Sequence, residues 1–223
     1  MKITAIKYGE TFLSHAAVFR GGNKNQMLKI SLLFYLIELP NRRILVDVGC
    51  DTMPGFELQH FCGPIAALQA YGLTAEQITD VVITHAHGDH IEALHYFKNA
   101  TVYIQQDEYV KGKNRVPSDM CVHLFDDSVE LTPYICAQRI AGHSIGSSVV
   151  LVQAKEQVFV LCGDECYSKE CFEKNIPTGS SVNPQNSESF VQKYREKPYV
   201  PCVFHDADIL PGENGYQVIY EET

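Results

Sequence analysis

Four side chains able to bind a metal ion stand close together in this 223-residue chain. His85, His87, Asp89 and His90 form the pattern His-x-His-x-Asp-His directly after the apolar run 81–84. Such a run predicts a buried strand, and side chains in the loop that follows can converge on one point at the end of a sheet. For any one of these residues a solvated polar loop is the alternative, but four at this spacing favour a metal site.

Three further potential ligands follow later apolar runs. His143 lies in a glycine-flanked segment between two predicted strands, Asp164 follows the run 158–163, and His205 follows residues 203–204. Taken alone, each has an ordinary alternative as a capping or turn residue. Together with the first four they make a set of histidine and aspartate donors, which suit zinc but also iron, manganese and cobalt.

Composition and charge exclude several classes of function. The chain has 18 basic and 27 acidic residues, a formal net charge of −9, and no local run of Lys or Arg, so nucleic-acid binding is disfavoured. The longest apolar stretch, 32–39, is too short to cross a bilayer, so no membrane contact is expected. Nothing at the N-terminus resembles a signal peptide, and the eight cysteines include no Cys-x-x-Cys pair. We therefore expect reduced thiols and a cytoplasmic location.

Apolar patterns predict two strand-rich halves with a few interspersed helices. The predicted strands are 3–8, 32–39, 43–48, 80–84, 101–105, 122–125, 135–140, 147–153, 157–162, 201–204 and 216–220. The predicted helices are 61–71, 91–98, 168–174 and 187–197, the last with Ser187 as its N-cap. Because each sheet needs one face buried by the other sheet and one by helices, we expect an α/β fold, a four-layer αββα sandwich in a single domain over residues 1–223.

The order of the candidate ligands resembles that of the metallo-β-lactamase-fold hydrolases. Their marker is His-x-His-x-Asp-His followed by an isolated His, Asp and His at later strand ends, and the similarity runs from residues 45–49 to His205. It implies two mixed sheets flanked by helices, and it gives Asp47 a hydrogen bond to a metal-binding histidine. It also implies two metal sites with a shared aspartate: His85, His87 and His143 for one ion, Asp89, His90 and His205 for the other, and Asp164 as the bridge.

A site of this kind suits hydrolysis. Five neutral imidazoles and two carboxylates leave two divalent cations with a net charge of about +2, enough to hold a bridging hydroxide at neutral pH. The hydroxide would attack a substrate carbonyl that one of the ions polarises. Zinc is the default metal for a histidine-rich site, with iron, manganese and cobalt as alternatives.

Within this superfamily the chain is similar to the N-acyl homoserine lactonases. His205 is followed by Asp206, as in that group, and Tyr167 stands three residues after Asp164, at the position of the lactonases' active-site tyrosine. The resemblance therefore implies a small ester-like substrate, a lactone first, with Asp89 and Tyr167 as catalytic residues. A packing role under the loop is the alternative for Tyr167.

Two other functions stay open. A thioester hydrolase with glyoxalase II-like chemistry would share the ligands, although those enzymes append a helical thiol-binding region after the last one. A binding module that keeps the metals without turnover is the other. The chain also departs from the lactonase pattern, with Glu92-Ala93 in place of paired glycines, Ile145 in place of a proline and Phe204 in place of a glycine. The substrate therefore stays open.

The expected substrate is a small molecule with an acyl group. Phe56, Phe61 and the loop 21–27 are candidates for contact with that group. Cys166, two residues after Asp164, is expected to be a packed thiol. The acyl chain, the native metal and the oligomeric state are not determined by these patterns.

Overall fold

Two β-sheets pack face to face in the computed structural model, which describes residues 1–211 and 214–222. The strands are β1 Lys2–Ser14, β2 Met27–Leu39, β3 Arg42–Val46, β4 Asp80–Ile83, β5 Thr101–Gln105, β6 Cys121–Phe125, β7 Ser128–Thr132, β8 Ile135–Arg139, β9 Ser148–Ala154, β10 Gln157–Leu161, β11 Tyr199–Cys202 and β12 Gly215–Glu221. The first sheet has the order β12-β1-β2-β3-β4-β5-β6 and the second β11-β10-β9-β8-β7. Both are mixed, because β3 to β6 run parallel and so do β10 and β11, whereas the other pairs are antiparallel.

Helices flank the two sheets. They are α1 His15–Val18, α2 Pro64–Tyr71, α3 Gly88–Ile91, α4 Gln106–Gly112, α5 Lys169–Lys174 and α6 Pro184–Tyr194. Short 3₁₀ segments lie at Ala75–Gln77, Glu92–Tyr96, Lys113–Arg115 and Gly163–Glu165. The predicted αββα sandwich is confirmed. No helix among the described residues has the length and apolar character needed to cross a membrane.

The interior strand β2 contributes to two cores at once. Leu33 and Tyr35 belong to the core between the sheets, whereas Leu32 and Phe34 belong to the core between the first sheet and its helices. Successive side chains on a strand point to opposite faces, so a strand buried on both faces needs a continuous apolar run. The buried Tyr35 hydroxyl donates to the Val203 carbonyl at 2.8 Å, which ties the two sheets together.

Some sequence-based element boundaries are wrong. Strand β7 was not predicted because it is a largely exposed edge strand without an apolar run. Helix α4 was not predicted either, since it is short and polar, and the Gln105 side chain caps it by accepting the amides of Asp107 and Glu108. The predicted helix 91–98 is a 3₁₀ segment after α3. Helix α6 begins at Pro184 with Asn183 as its N-cap, so Ser187 is not the cap.

Candidate metal centre

All seven candidate ligands lie at one edge of the sandwich. Strands β3 and β4 are parallel, so the loops that begin after them, with Asp47 and His85, start side by side. Strands β10 and β11 are also parallel, which places Asp164 and His205 together at the matching edge of the second sheet. Strand β9 runs antiparallel to β10, so the loop before it, with His143, returns to the same edge. The fold thus brings together residues up to 120 positions apart.

The first ligand group consists of His85, His87, His143 and Asp164. His87 Nδ1 lies 3.0 Å from His85 Nε2 and 3.0 Å from His143 Nε2. Asp164 Oδ2 lies 3.6 Å from His85 Nε2 and 3.4 Å from His143 Nε2. The four donor atoms therefore face one common point.

The second ligand group consists of Asp89, His90 and His205. His90 Nε2 lies 3.4 Å from His205 Nε2, and Asp89 Oδ2 lies 3.6 Å and 3.8 Å from these two nitrogens. The other oxygen of Asp164, Oδ1, lies 3.0 Å from His90 Nε2 and 2.9 Å from His205 Nε2. Asp164 thus offers one carboxylate oxygen to each ligand group, which is the arrangement of a bridging ligand.

These separations fit divalent metal ions. Metal–nitrogen and metal–oxygen bonds of a tetrahedral zinc site place neighbouring donor atoms about 3.3 to 3.6 Å apart. In the first ligand group four of the six donor pairs are 3.0 to 3.6 Å apart and all donor atoms lie within 4.8 Å of one another, and in the second the three pairs are 3.4 to 3.8 Å apart. The donor types, imidazole nitrogen and carboxylate oxygen, suit the same ions. Both ligand groups therefore have donor types that suit a divalent metal ion, and most of their donor separations are close to those of a zinc site.

The histidines of the second ligand group are held by acceptors on their outer ring nitrogens. His90 Nδ1 bonds Asp47 Oδ2 at 2.7 Å, as expected for Asp47, and His205 Nδ1 bonds the Ser31 carbonyl at 2.8 Å. Asp47 also accepts the Thr84 amide at 2.7 Å and the Thr84 hydroxyl at 2.8 Å. An acceptor at Nδ1 keeps the proton there and directs the Nε2 lone pair towards the metal position.

In the first ligand group one histidine lacks such an acceptor. His143 Nδ1 bonds the Ser180 carbonyl at 2.7 Å, and His85 Nδ1 bonds the Thr84 hydroxyl at 3.1 Å. The outer nitrogen of His87, Nε2, instead faces Lys111 Nζ at 3.4 Å. An ammonium group has only donors, so it does not fix the tautomer that metal binding through Nδ1 requires.

Two buried glutamates that sequence reasoning missed support the loops of the first ligand group. Glu108 accepts the Ala86 amide at 2.8 Å, the Ser144 hydroxyl at 2.7 Å and the Gly146 amide at 3.0 Å. Glu165 accepts the amides of Gly142 and His143 at 3.1 and 3.2 Å, and also the Ser147 hydroxyl. A lone glutamate in a polar segment gives no sign of burial, so the sequence offered no signal for either role.

The two ligand groups differ in the pKa values of their histidines. Burial lowers the pKa of His85 well below its usual value and lowers that of His87. Burial also opposes the charged forms of His90 and His205, but Asp164 and Asp89 outweigh it and raise both pKa values. Burial likewise opposes ionisation of Asp164, yet the surrounding histidines hold its pKa well below the usual range. Asp164 is therefore anionic at neutral pH.

Tyr167 lies between the two ligand groups. Its ring stacks on His205 with centroids 5.2 Å apart and meets His143 edge-on at 6.1 Å. Burial, reinforced by the charge of Asp164, raises the pKa of Tyr167 well above its usual value, so the hydroxyl stays protonated. Tyr167 also lines a cavity beside the two ligand groups. It therefore packs against the ligand histidines and also faces the space that a substrate would occupy.

A cavity of about 320 Å³ opens beside the two ligand groups. Its lining combines polar residues of the centre with apolar residues: Leu13, Thr52, Met53, Pro54, Phe56, His87, Gly88, Asp89, Asp164 and Tyr167. Phe56 thus lies where an acyl contact was expected. Phe61 packs on the ring of Tyr8 instead, and residues 21–27 do not contribute to the lining among the described residues. Cys166 is buried, its thiol 3.4 Å from the Ser168 carbonyl, as expected for a packed thiol.

Comparison with protein families agrees with this geometry. The family described as "Metallo-beta-lactamase superfamily" matches residues 33–112, which include the whole His-x-His-x-Asp-His segment. The chain thus shares with this family a segment that contains four of the seven candidate ligands. It is similar to the N-acyl homoserine lactonase AiiA of Bacillus thuringiensis subsp. kurstaki, with 23% identity over 234 residues that cover 93% of each protein.

Solved structures share the fold over nearly the whole chain. An N-acyl homoserine lactone hydrolase with the product N-hexanoyl-L-homoserine at its catalytic metal centre has a TM-score of 0.80 and 19% identity, covering 93% of this chain and 94% of the other. The dizinc quorum-quenching lactonase AidC has a TM-score of 0.75 and 16% identity, covering 99% and 94%. At these identities the similarity establishes the metallo-β-lactamase fold.

Proposed function

We propose that this chain is a dinuclear metal-dependent hydrolase that opens lactone rings, with N-acyl homoserine lactones as the substrate class. The observation that carries the proposal is Asp164, which offers one oxygen to each ligand group, next to a cavity with an apolar wall. The choice of a lactone rests on similarity to lactonases that match 93% of the chain. An acyl chain suits the apolar wall, and a lactone carbonyl suits the polar floor.

The chain's own residues have separate roles in this reaction. Two divalent ions in the ligand groups would polarise the substrate carbonyl and lower the pKa of water. The Tyr167 hydroxyl is protonated, and the residue lines the cavity. It donates a hydrogen bond to the substrate carbonyl oxygen as that oxygen becomes negative during attack. Asp89, whose side chain is 14% exposed and lines the cavity, accepts the proton of the oxygen that attacks the carbonyl and passes it to the ring oxygen, which departs as the alcohol when the C–O bond breaks. The apolar wall excludes water around the acyl group.

Zinc is the metal that we propose for both sites. Five of the seven donors are imidazole nitrogens, and their spacing fits tetrahedral coordination. Iron, manganese and cobalt accept the same donors, so elemental analysis after gentle purification is the test. We expect two zinc ions per chain, and a ratio near one that does not rise on adding metal would contradict the bridging role of Asp164.

A substrate screen tests the proposed activity. Protein loaded with zinc or manganese is offered N-acyl homoserine lactones, acyl thioesters, phosphodiesters, RNA and a β-lactam, with protein stripped by a chelator as the control. We expect the largest kcat/KM for lactones and negligible cleavage of phosphodiesters and RNA, since the net charge of −9 repels polyanions. Dominant thioester cleavage would move the assignment to a thioesterase. Binding without turnover of any substrate would identify a non-catalytic module.

We also propose a cytoplasmic location. All eight cysteines are unpaired, and five of them are buried. Free thiols in this number are typical of a reducing compartment. Fractionation of the native cells is the test, with the protein expected alongside cytosolic markers.

A further inference from the structure

The apolar wall of the cavity is a surface loop, residues 51–58, in which Met53 and Leu58 pack against the core between the first sheet and its helices. Thr52, Met53, Pro54 and Phe56 face the ligand groups across the cavity. The backbone of this segment forms no strand or helix, and one turn bond, from the Phe56 amide to the Met53 carbonyl at 3.0 Å, closes its tip. Apart from this turn and the packing of Met53 and Leu58, the position of the loop over the centre depends on the contacts at its two ends.

Strand β1 holds the far end of this loop. Glu10 and Gln59 exchange two backbone hydrogen bonds of 2.8 Å, and the Thr11 hydroxyl donates to the Glu57 carbonyl at 2.9 Å. These bonds lie beyond Phe56 along the chain and leave the first half of the loop without hydrogen bonds to β1, although Met53 packs against the core. Support for that half comes from a different element.

The near end of the loop is held by the carboxylate of Glu92. Glu92 Oε2 accepts the amides of Asp51 at 2.8 Å and of Thr52 at 3.0 Å, and Oε1 accepts the Thr52 hydroxyl at 3.1 Å. Hydrogen bonds to an ionised carboxylate are stronger than those between neutral groups. Both oxygens of Glu92 are thus used to orient two consecutive residues at the start of the cavity wall.

Glu92 is itself rigidly joined to the second ligand group. It stands two residues after His90, whose carbonyl accepts the Val48 amide at 3.0 Å, and the next amide, of Ala93, donates to the Gly49 carbonyl at 3.1 Å. The same side chain therefore connects the helical turn that carries Asp89 and His90 with the loop that faces them. No other side chain within the described residues makes this connection through three hydrogen bonds.

We propose that Glu92 is a specificity-determining positioning residue, which holds the 51–58 loop over the metal centre and so sets the preference for long acyl groups. The inference rests on the proposed function, since it assigns the loop to the acyl part of the substrate. It predicts that loss of the carboxylate loosens the apolar wall, whereas the ligands and Tyr167 keep their places. Binding of long acyl chains then suffers more than the chemical step.

Kinetics on acyl chains of different length test the role. We expect Glu92→Ala to raise KM for N-decanoyl homoserine lactone by about tenfold, with KM for the N-butanoyl lactone and both kcat values changed by about twofold or less. Glu92→Gln should restore most of the preference, because its amide oxygen accepts the two backbone amides and its NH₂ group donates to the Thr52 hydroxyl. Glu57→Gln is the matched control, since it changes an exposed carboxylate of the same loop that bonds only the Gln59 side chain.

Two further measurements keep the role separate from the proposed function. Hydrogen exchange should be faster in Glu92→Ala at the amides of Asp51 and Thr52, with metal content unchanged. Calorimetry with N-decanoyl and N-butanoyl homoserine reads chain-length preference without turnover. No lactone hydrolysis, but a preference that depends on Glu92, would reject the proposed function and keep this role. Lactone hydrolysis with the same decanoyl-to-butanoyl ratio in wild type and Glu92→Ala would overturn this role alone.

Discussion

Both ligand groups consist of histidine nitrogens and aspartate oxygens, but the protein fixes the orientation of the histidines differently in each. In the second ligand group, both histidines have an acceptor on the outer nitrogen, Asp47 for His90 and a carbonyl for His205. In the first, His87 faces Lys111 in place of an acceptor and is only partly buried. A histidine whose tautomer and orientation are fixed in advance loses less freedom when it binds a metal. We therefore expect the second ligand group to hold its ion more tightly than the first.

Asp164 offers one oxygen to each ligand group, so its removal should weaken both of them. Asp164→Ala leaves two cation sites close together without the anion between them, and their mutual repulsion is no longer screened. We expect the loss of at least one ion per chain and a fall in kcat/KM of about 1,000-fold or more. Elemental analysis and lactone kinetics measure both. Asp208→Ala, an exposed aspartate near His205, is the control and should change neither.

Tyr167 contacts a histidine from each ligand group but is not a metal donor, so its loss should affect turnover without affecting either metal. Tyr167→Phe removes only the hydroxyl and keeps the ring between His143 and His205. We expect kcat to fall by about 10 to 1,000-fold with two ions retained, as for the loss of an oxyanion donor. If Tyr167 serves packing alone, turnover stays within about twofold and stability falls by at most about 1.5 kcal/mol. Kinetics and thermal melts on one variant distinguish these results.

Asp47 offers a way to weaken the second ligand group selectively. Asp47→Asn keeps an oxygen for the Thr84 amide but turns an NH₂ group towards the Nδ1 proton of His90. Metal affinity at the second ligand group should then fall by about 10 to 100-fold. The first ligand group should change less, because Asp47 reaches His85 only through Thr84. Titration against a chromophoric chelator measures both affinities, and Asp80→Asn, at the other end of β4, is the control. Equal losses of metal affinity at both sites would contradict the expectation that Asp47 mainly supports the second ligand group.

The sequence predicted the two-sheet fold and the candidate ligands for a physical reason. Strands buried on both faces need continuous apolar runs, and their ends need polar residues, so the run 81–84 and the histidines after it are visible without coordinates. The same reasoning failed for β7, because an exposed edge strand needs no apolar run. It also misplaced the start of α6, which begins at Pro184 with Asn183 as its N-cap, three residues before Ser187.

The residues that support the site could not be predicted from the sequence. Glu92, Glu108 and Glu165 act through backbone amides of segments that only the fold brings near them. A carboxylate that accepts amides carries no spacing signature, because its partners contribute no side chain to the pattern. The contact of Lys111 could not be predicted for a related reason, since Lys111 lies 24 residues from His87 in the sequence and approaches it only in the fold.

Lys111 allows the smallest and most selective change to the first ligand group. When His87 binds a metal through Nδ1, its Nε2 carries the proton, and that N–H then points at an ammonium group that also offers only donors. This contact opposes the metal-bound form, both by the donor–donor conflict and by the positive charge of the lysine near a cation. Lys111→Met keeps the length and apolar stem of the side chain and removes the charge. We expect metal affinity at the first ligand group to rise by about three- to tenfold, which corresponds to about 0.7 to 1.4 kcal/mol, with the second group unchanged.

Lys113→Met, at an exposed lysine in the adjoining 3₁₀ segment, is the matched control and should leave both affinities as they are. The chelator titration used for Asp47 measures the result. A weaker first site in Lys111→Met would show that the lysine supports His87, and the first ligand group would then be as well held as the second.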